Sequence, residues 1–315
     1  MDLSTRILVI NPGSTTTKVA VYQNQKVTFL TTFRPPPQLL EKYNSVIDQL
    51  DYRKNFIIEE LRDSDVYVDL IGAIIGRGGL LKPISSGVYR VNEAMYNDLK
   101  SSEMGEHASN LGGLIAFDLS KEFPKAEAFI ADPVVVDELD ALARFSGHPD
   151  FPRVSIFHAL NQKAIARTYA KSTMKEYEEL NLIVVHLGGG ITVGAHCKGR
   201  VIDVNQGLDG DGPFSPERSG TLPAGALLNA AYSGKYTLNE MREMLVGKGG
   251  MVAYLGTNDT YLVERDAKDG DRKSLEVMHA MAYQVAKEIG AMSTVLKGDV
   301  DAVLITGGIA NSMWF

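Results

Sequence analysis

One cysteine, Cys197, occurs in 315 residues. A single thiol excludes an intrachain disulfide and a multi-cysteine zinc site, and such sparing use of cysteine is the default of a cytoplasmic protein. Cys197 follows His196 in an apolar run and reads as a buried or half-buried thiol rather than a nucleophile. Long apolar runs are also missing. No stretch approaches the ~18–20 residues that span a bilayer, so no membrane is expected as a partner. The opening residues MDLSTR lead into a short strand rather than a signal-peptide core. An excess of basic residues is lacking too. With 32 Lys and Arg against 39 Asp and Glu, the net charge of −7 argues against non-specific nucleic-acid binding, which needs clustered cations. Neither the G-x-x-x-x-G-K-[ST] pattern of P-loop proteins nor the H-R-D pattern of protein kinases occurs.

What remains is ordinary for a soluble globular chain, 44% hydrophobic and 23% charged, and long enough for about two domains. The first strands are expected at Arg6–Asn11, Lys18–Tyr22 and Lys26–Thr32. A helical region follows the prolines at 35–37. Buried strands are expected at 68–76 and 126–131, and Asn92 reads as the N-cap of a helix. Residues 107–123 and 155–180 read as further helices, the second long and amphipathic, and another helix is expected over Ser274–Lys297.

At Leu182 the opening pattern returns. LIVVHLGGGITVGAHCKGRVIDVN repeats the strand, small-residue turn, strand, tight turn and strand of Ile7–Phe29. This predicts an internal duplication at domain scale. The GHPDFPR segment breaks the pattern, which places the boundary between an N-terminal domain, 1–152, and a C-terminal domain, 153–315. A closely packed pair with a cleft between the halves is expected. The chain stops one turn into an apparent helix, so the natural C-terminus is expected to lie beyond Phe315.

Three glycine-rich turns each follow an apolar strand: Asn11–Thr17, Leu187–Ile191 and Thr306–Ala310. Turns without bulky side chains let backbone N–H groups approach phosphate oxygens. Ser14, Thr15, Thr16 and Thr17 add hydroxyl donors. Any one such turn also suits a plain hairpin, whose side chains satisfy their own backbone; three in two similar halves favour phosphate.

The sequence resembles the acetate kinase family, within the actin, Hsp70 and sugar-kinase superfamily. The resemblance rests on NPGSTTTK at Asn11–Lys18, HLGGG at His186–Gly190, SPERSG at Ser215–Gly220 and TGGIA at Thr306–Ala310. Their departures from the acetate kinase patterns, and the shorter spacings, are similar to the butyrate kinase branch. The resemblance implies an α/β fold of two duplicated actin-like (ribonuclease H-like) domains with ATP in the cleft between them. It implies reversible transfer of the γ-phosphoryl group to a short-chain carboxylate, butyrate or an acetate, propionate or branched relative, yielding ADP and an acyl phosphate.

By the same resemblance, Arg218, His186, Arg77 and Asp132 are the catalytic candidates. His107, Arg77 and Arg218 would contact the acid, and Asn11 would lie near Mg²⁺. Gly13, Ser14, Thr15, Thr16, Lys18, Gly188, Gly189 and Gly190 would face the nucleotide phosphates. Gly307, Gly308 and Ile309 would lie by the adenosine. His158 has a family counterpart as well, with helix packing as its alternative. No match to a C-terminal glutamate used by the family precedes Phe315. ATP/ADP and Mg²⁺ are the expected cofactors, and a homo-oligomer, dimer or larger, is the expected assembly. The chemistry agrees with this residue set. A carboxylate acceptor is already ionised at neutral pH, so the site needs cations more than a general base. Two alternatives stay open: a sugar or alcohol kinase with Asp132 as base, and an actin- or Hsp70-like ATPase acting in assembly or client binding. Plain structural readings compete at single residues: an Arg218–Glu217 ion pair, and a strand-end cap by Asp132.

Overall fold

Alternating burial builds the first sheet. In β1 (Arg6–Pro12), Leu8, Ile10 and Pro12 face inward, and β2 (Thr17–Gln23) answers with Thr17, Val19 and Val21. A computed structural model gives the structure and describes residues 6–14, 16–40, 42–64, 66–312 and 315. β3 (Lys26–Phe33), β4 (Ile71–Arg77), β5 (Val88–Arg90) and β6 (Glu127–Ala131) complete the sheet, in the order β3-β2-β1-β4-β6-β5. Helices α1 (Pro37–Leu40), α2 (Leu50–Asp63), α3 (Glu93–Ser101) and α4 (Asn110–Glu122) accompany it. As the sequence predicts, the Asn92 side chain caps α3, accepting from Met95 N–H at 2.9 Å. Gly76 and Gly112 allow α4 to press on β4, because a Cβ at either would strike the other's backbone surroundings.

The second sheet contains β7 (Asn181–Leu187), β8 (Ile191–Cys197), β9 (Arg200–Val204) and β10 (Ala302–Thr306), in the order β10-β7-β8-β9. Its helices are α5 (Ala159–Ser172), α6 (Ala224–Tyr232), α7 (Leu238–Leu245), α8 (Gly250–Leu255), α9 (Thr260–Lys268) and α10 (Arg272–Val295). β7 is covered on both faces. Leu182 and Val184 join Ala166, Ala170 and Tyr177 on the α5 side, while Ile183, Val185 and Leu187 join Met281 and Val285 of α10. Each such aliphatic side chain contributes about 1.5–3 kcal/mol on full burial. Cys197 is half-buried against the α10-side cluster.

The duplication expected from the sequence is present at the level of topology. β3-β2-β1-β4 and β9-β8-β7-β10 have the same strand order and the same directions, β1 running parallel to β4 and β7 parallel to β10. Both second hairpins carry a register shift, at Val21/Tyr22 and at Ala195/His196. Both turn through a non-glycine residue of positive φ, Asn24 or Lys198.

The chain divides into two compact units, one ending at Val136 and one starting at Asp137. Residues 137–152 are tied to the second unit: Asp140 N–H donates to Ile202 O at 2.9 Å, and Arg153 donates to Ala143 O at 2.7 Å. The helix expected over 155–180 is shorter. It starts after His158 and ends at Ser172, with Met174 at positive φ and a separate short turn at Tyr177–Glu179. The helix expected after Gly308 is a single 3-10 turn, Gly308–Asn311. Among the described residues, no helix is long and apolar enough to cross a membrane.

Candidate active site

In the first unit, β1, β4 and β6 are mutually parallel neighbours, so their carboxyl ends lie side by side. Asn11 is near the end of β1, Arg77 ends β4, and Asp132 follows β6. Ligands of open α/β sheets bind outside such strand ends, so three distant sequence positions converge on a suitable edge. Asn11 pairs with Lys18 across the β1–β2 hairpin, and both are exposed, as is Ser14 between them.

The opening turn has a hidden support. Arg53 of α2 is fully buried beneath it. Its guanidinium donates to Gly13 O (2.9 Å), Ser14 O (3.0 Å), Thr16 O (3.2 Å) and Thr17 Oγ1 (2.7 Å), and to Gln49 Oε1 from two nitrogens. Gly13 N–H closes the turn on Thr16 O at 2.7 Å. With the Gly13 carbonyl turned onto Arg53, the trans peptide aims the Ser14 N–H the opposite way. Among the described residues the hydrogen-bond acceptors of Arg53 are all uncharged. Its cation is therefore not neutralised by these contacts and favours an anion on the turn. Burial lowers the Arg53 pKa, but an arginine stays charged. Thr15, expected among the phosphate donors, lies outside the described residues.

Arg77 is also desolvated, and burial pushes its pKa down from the ordinary value. The glycines around it have packing reasons. Beyond the Gly76–Gly112 approach, a Cβ at Gly78 would strike Pro133 and one at Gly79 would strike Asn110. Asn110 opens α4, and its Oδ1 accepts from Leu80 N–H at 2.8 Å. His107 lies just before that helix. Its Nδ1 accepts from Ser109 N–H at 3.2 Å and lies 2.8 Å from Ser109 Oγ. A backbone N–H only donates, so the proton of a neutral His107 ring is on Nε2.

Asp132 is buried at positive φ, uncommon for a residue other than glycine. Its Oδ1 accepts from Ser86 Oγ at 2.6 Å and from Gly87 N–H at 2.8 Å. These contacts clasp the 86–87 loop to the strand end.

The second unit gathers its candidates around the end of β7. His186 pairs with Thr192 across the hairpin, as Asn11 pairs with Lys18, so His186 and Asn11 occupy equivalent positions of the duplicated motif. Gly188 lies over the His186 ring; a Cβ there would stand 2.8 Å from Nε2. The SPERSG segment is seated on the HLGGG turn. Ser215 Oγ donates to Gly189 O at 2.6 Å, and Glu217 N–H donates to the same carbonyl at 3.3 Å. Arg218 is half-buried, donates to Gly207 O, and lies so close to Gly190 that a Cβ there would overlap its guanidinium. Gly307, at φ 97°, follows β10 and abuts the Leu187 backbone. Gly308 is exposed beside it, whereas the Ile309 side chain belongs to the α10-side core. Thus His186, Gly188, Gly189, Gly190, Arg218, Gly307 and Gly308 come together.

His158, at the N-cap of α5, belongs to the same group. Its ring stacks on His186 with centroids 3.8 Å apart and planes 13° apart. His158 Nδ1 lies 2.9 Å from Thr192 Oγ1, and His186 Nδ1 lies 2.7 Å from Asn161 Oδ1 in the first turn of α5. The positive end of that helix dipole lies beside both rings.

For magnesium, Asn11 offers one exposed neutral oxygen. Among the described residues no group of three or more His, Cys, Asp or Glu could hold a metal. This donor set fits a Mg²⁺ ion that arrives on nucleotide phosphates, the usual manner of binding at phosphoryl-transfer sites.

Comparison with known proteins shows the family and the fold. The chain belongs to the acetokinase family, whose model matches residues 153–314. Butyrate kinase 1 of Clostridium acetobutylicum is 55% identical over 305 residues, 97% of this chain and 86% of that protein. Butyrate kinase 2 of the same organism is 52% identical, over 97% and 85%. Among solved structures, the acetate kinase of Porphyromonas gingivalis superposes with a TM-score of 0.76 at 18% identity, over 98% of this chain and 84% of that one. A propionate kinase from Francisella tularensis gives 0.74 at 20% identity, over 98% and 85%. The fold is the actin-like α/β fold shared with these structures.

Proposed function

We propose that this protein transfers the γ-phosphoryl group of ATP to butyrate or a similar short-chain carboxylate. The supporting observation is 55% identity to a butyrate kinase over 97% of the chain, with Arg218, His186 and the glycine turn of that family assembled at one strand end. In the reaction the bond from the γ-phosphorus to the ADP oxygen breaks, and a bond to a carboxylate oxygen forms. No proton has to leave the acceptor, because a carboxylate is ionised at neutral pH. What the site must supply is relief of anion repulsion and stabilisation of charge on the moving phosphoryl group.

Arg218 is assigned to the phosphoryl group, where its paired donors suit flat arrays of anionic oxygens. His186 is assigned to the same group. Arg77 and His107 are assigned to the acid's carboxylate. The turn from Gly13 to Lys18 and the glycines at 188–190 bind phosphates, and Gly307 and Gly308 lie by the adenosine. Bound with the nucleotide, Mg²⁺ would neutralise phosphate charge, with Asn11 as the nearby neutral oxygen. The clasp made by Asp132 favours this reading over an alcohol kinase, since its carboxylate serves the 86–87 loop. A cytoplasmic location and a homo-oligomeric assembly complete the proposal; light scattering checks the second.

The test is an acceptor panel with ATP, Mg²⁺ and hydroxylamine. An acyl phosphate acylates hydroxylamine, releasing phosphate, and the hydroxamate gives a coloured iron(III) complex. Colour with butyrate and none with sugars is expected. ATP-dependent sugar phosphorylation without hydroxamate would overturn the reading.

A further inference from the structure

The α5-facing side of β8 carries Thr192 and His196, both fully buried. Polar groups so enclosed need partners, and these have them in sequence. Tyr177 Oη lies 2.7 Å from His196 Nδ1, and His196 Nε2 lies 3.0 Å from Gln162 Oε1. Gln162 Nε2 lies 3.1 Å from Thr192 O and 2.9 Å from Thr192 Oγ1, which is 2.9 Å from His158 Nδ1.

The direction of this chain follows from one acceptor. The Thr192 carbonyl accepts only, so the Gln162 amide must turn its NH₂ toward it. Oε1 then faces His196, whose Nε2 must carry the proton. His196 is kept neutral by burial, its pKa pushed to about 3, so its Nδ1 accepts from Tyr177. At the other end Thr192 Oγ1 accepts from Gln162, and its one proton is left to point at His158 Nδ1.

We infer that Tyr177, His196, Gln162 and Thr192 form a one-way hydrogen-bond relay that holds His158 in the Nε2–H tautomer, with its ring fixed against His186. Thr192 and Gln162 are therefore positioning residues, and His158 is presented as a donor beside the HLGGG turn. The catalytic consequence rests on the carboxylate-kinase reading; the tautomer does not. In that reaction a fixed Nε2–H spares the ring reorganisation when charge develops on the phosphoryl oxygens.

Long-range ¹H–¹⁵N spectra of ¹⁵N-histidine-labelled protein, assigned with His158→Gln, read the tautomer without substrate. The wild type is expected to show a protonated Nε2 and an unprotonated Nδ1 for His158 near neutral pH. A protonated Nδ1 with a bare Nε2 would overturn the inference. Thr192→Val removes the hydroxyl and should mix the tautomers. With butyrate it should lower kcat about tenfold, the lower range for loss of a supporting partner, while KM for ATP stays within about twofold. Thr192→Ser should restore both. A folded Thr192→Val protein with wild-type shifts and kcat would also overturn it, and the wild-type spectrum decides the tautomer even if that variant does not fold. Wild-type protein that makes no acyl phosphate but shows the expected shifts would instead overturn the carboxylate-kinase reading and leave the relay standing.

Discussion

Arg53 Nη1 lies 2.7 Å from Thr17 Oγ1, placing a buried guanidinium directly under the opening glycine turn. The same group bonds three carbonyls of that turn, so it sets the turn's shape and its electrostatics together. Arg53→Met would leave those carbonyls and Gln49 without their donor. A loss of at least about 3 kcal/mol in stability is expected, since each stranded buried group costs on the order of 1–3 kcal/mol. Arg53→Lys keeps the charge but cannot fork to so many acceptors. It should fold and should weaken ATP binding about tenfold, a change of about 1.4 kcal/mol. Urea midpoints and nucleotide titration measure the two effects. Unchanged ATP affinity in Arg53→Lys would detach this residue from nucleotide binding.

Gly190 and Arg218 make a second coupled pair. Arg218→Ala should lower kcat on the order of 10³-fold, as expected for loss of a charged donor to the transition state, and Arg218→Lys should not restore it. Gly190→Ala places a methyl where the guanidinium lies. The tip of a long side chain yields more readily than backbone, so the fold should survive while kcat falls on the order of 10²-fold through displacement of Arg218. Steady-state kinetics beside circular dichroism check this. A folded Gly190→Ala variant with wild-type kcat would show that the position of Arg218 does not matter.

His196 gives the stability a pH dependence. Burial, aided by Lys163 and Arg167, pushes its pKa to about 3 from an unfolded value of 6.5. Between these values the unfolded chain binds a proton that the native state does not. Stability from this group is therefore full above about pH 6.5 and is lost as the pH falls toward 3, by up to about 1.4 kcal/mol per pH unit. Urea midpoints measured from pH 7 to pH 4 should fall, and His196→Gln should flatten that slope. An equal slope in the variant would contradict the assignment.

Asp132→Asn separates a base from a clasp. The amide oxygen still accepts from Ser86 and Gly87, and asparagine tolerates positive φ. Activity with butyrate within about tenfold of wild type is expected, without a new acidic limb in kcat/KM. Loss of a general base would cost ~10²–10⁴-fold. A loss of that size in a folded variant would favour the alcohol-kinase mechanism.

Much of the fold was legible because its signals are local. The strand bounds of β1–β3 follow from alternation, and the repeat at Leu182 from a matching order of runs and turns. The α5 helix was overextended because 155–180 keeps a helical apolar spacing past Ser172, where Thr173 and Met174 turn the chain. Glycines on both sides of Arg77 look, in sequence alone, like room for an anion; the space beside them is filled by Pro133 and by Gly112 and Asn110 of α4, which no local pattern reveals. Arg53 was missed for a similar reason, its partners in the opening turn lying 36 to 40 residues away. A signal was present: it falls within the buried stripe Leu50, Ile57, Leu61, where helical spacing calls for an apolar residue. His196 was missed as well, although it too left a signal, an imidazole in a strand otherwise apolar or small on its buried faces.

The most direct measurement runs the proposed reaction backwards. Protein supplied with butyryl phosphate, ADP and Mg²⁺ is followed by luciferase for ATP, beside Arg218→Ala and a control with a sugar phosphate. The account predicts rapid ATP formation from butyryl phosphate, a loss on the order of 10³-fold in the variant, and none from the sugar phosphate. ATP from the sugar phosphate alone, or none from butyryl phosphate with folded wild-type protein, would contradict it.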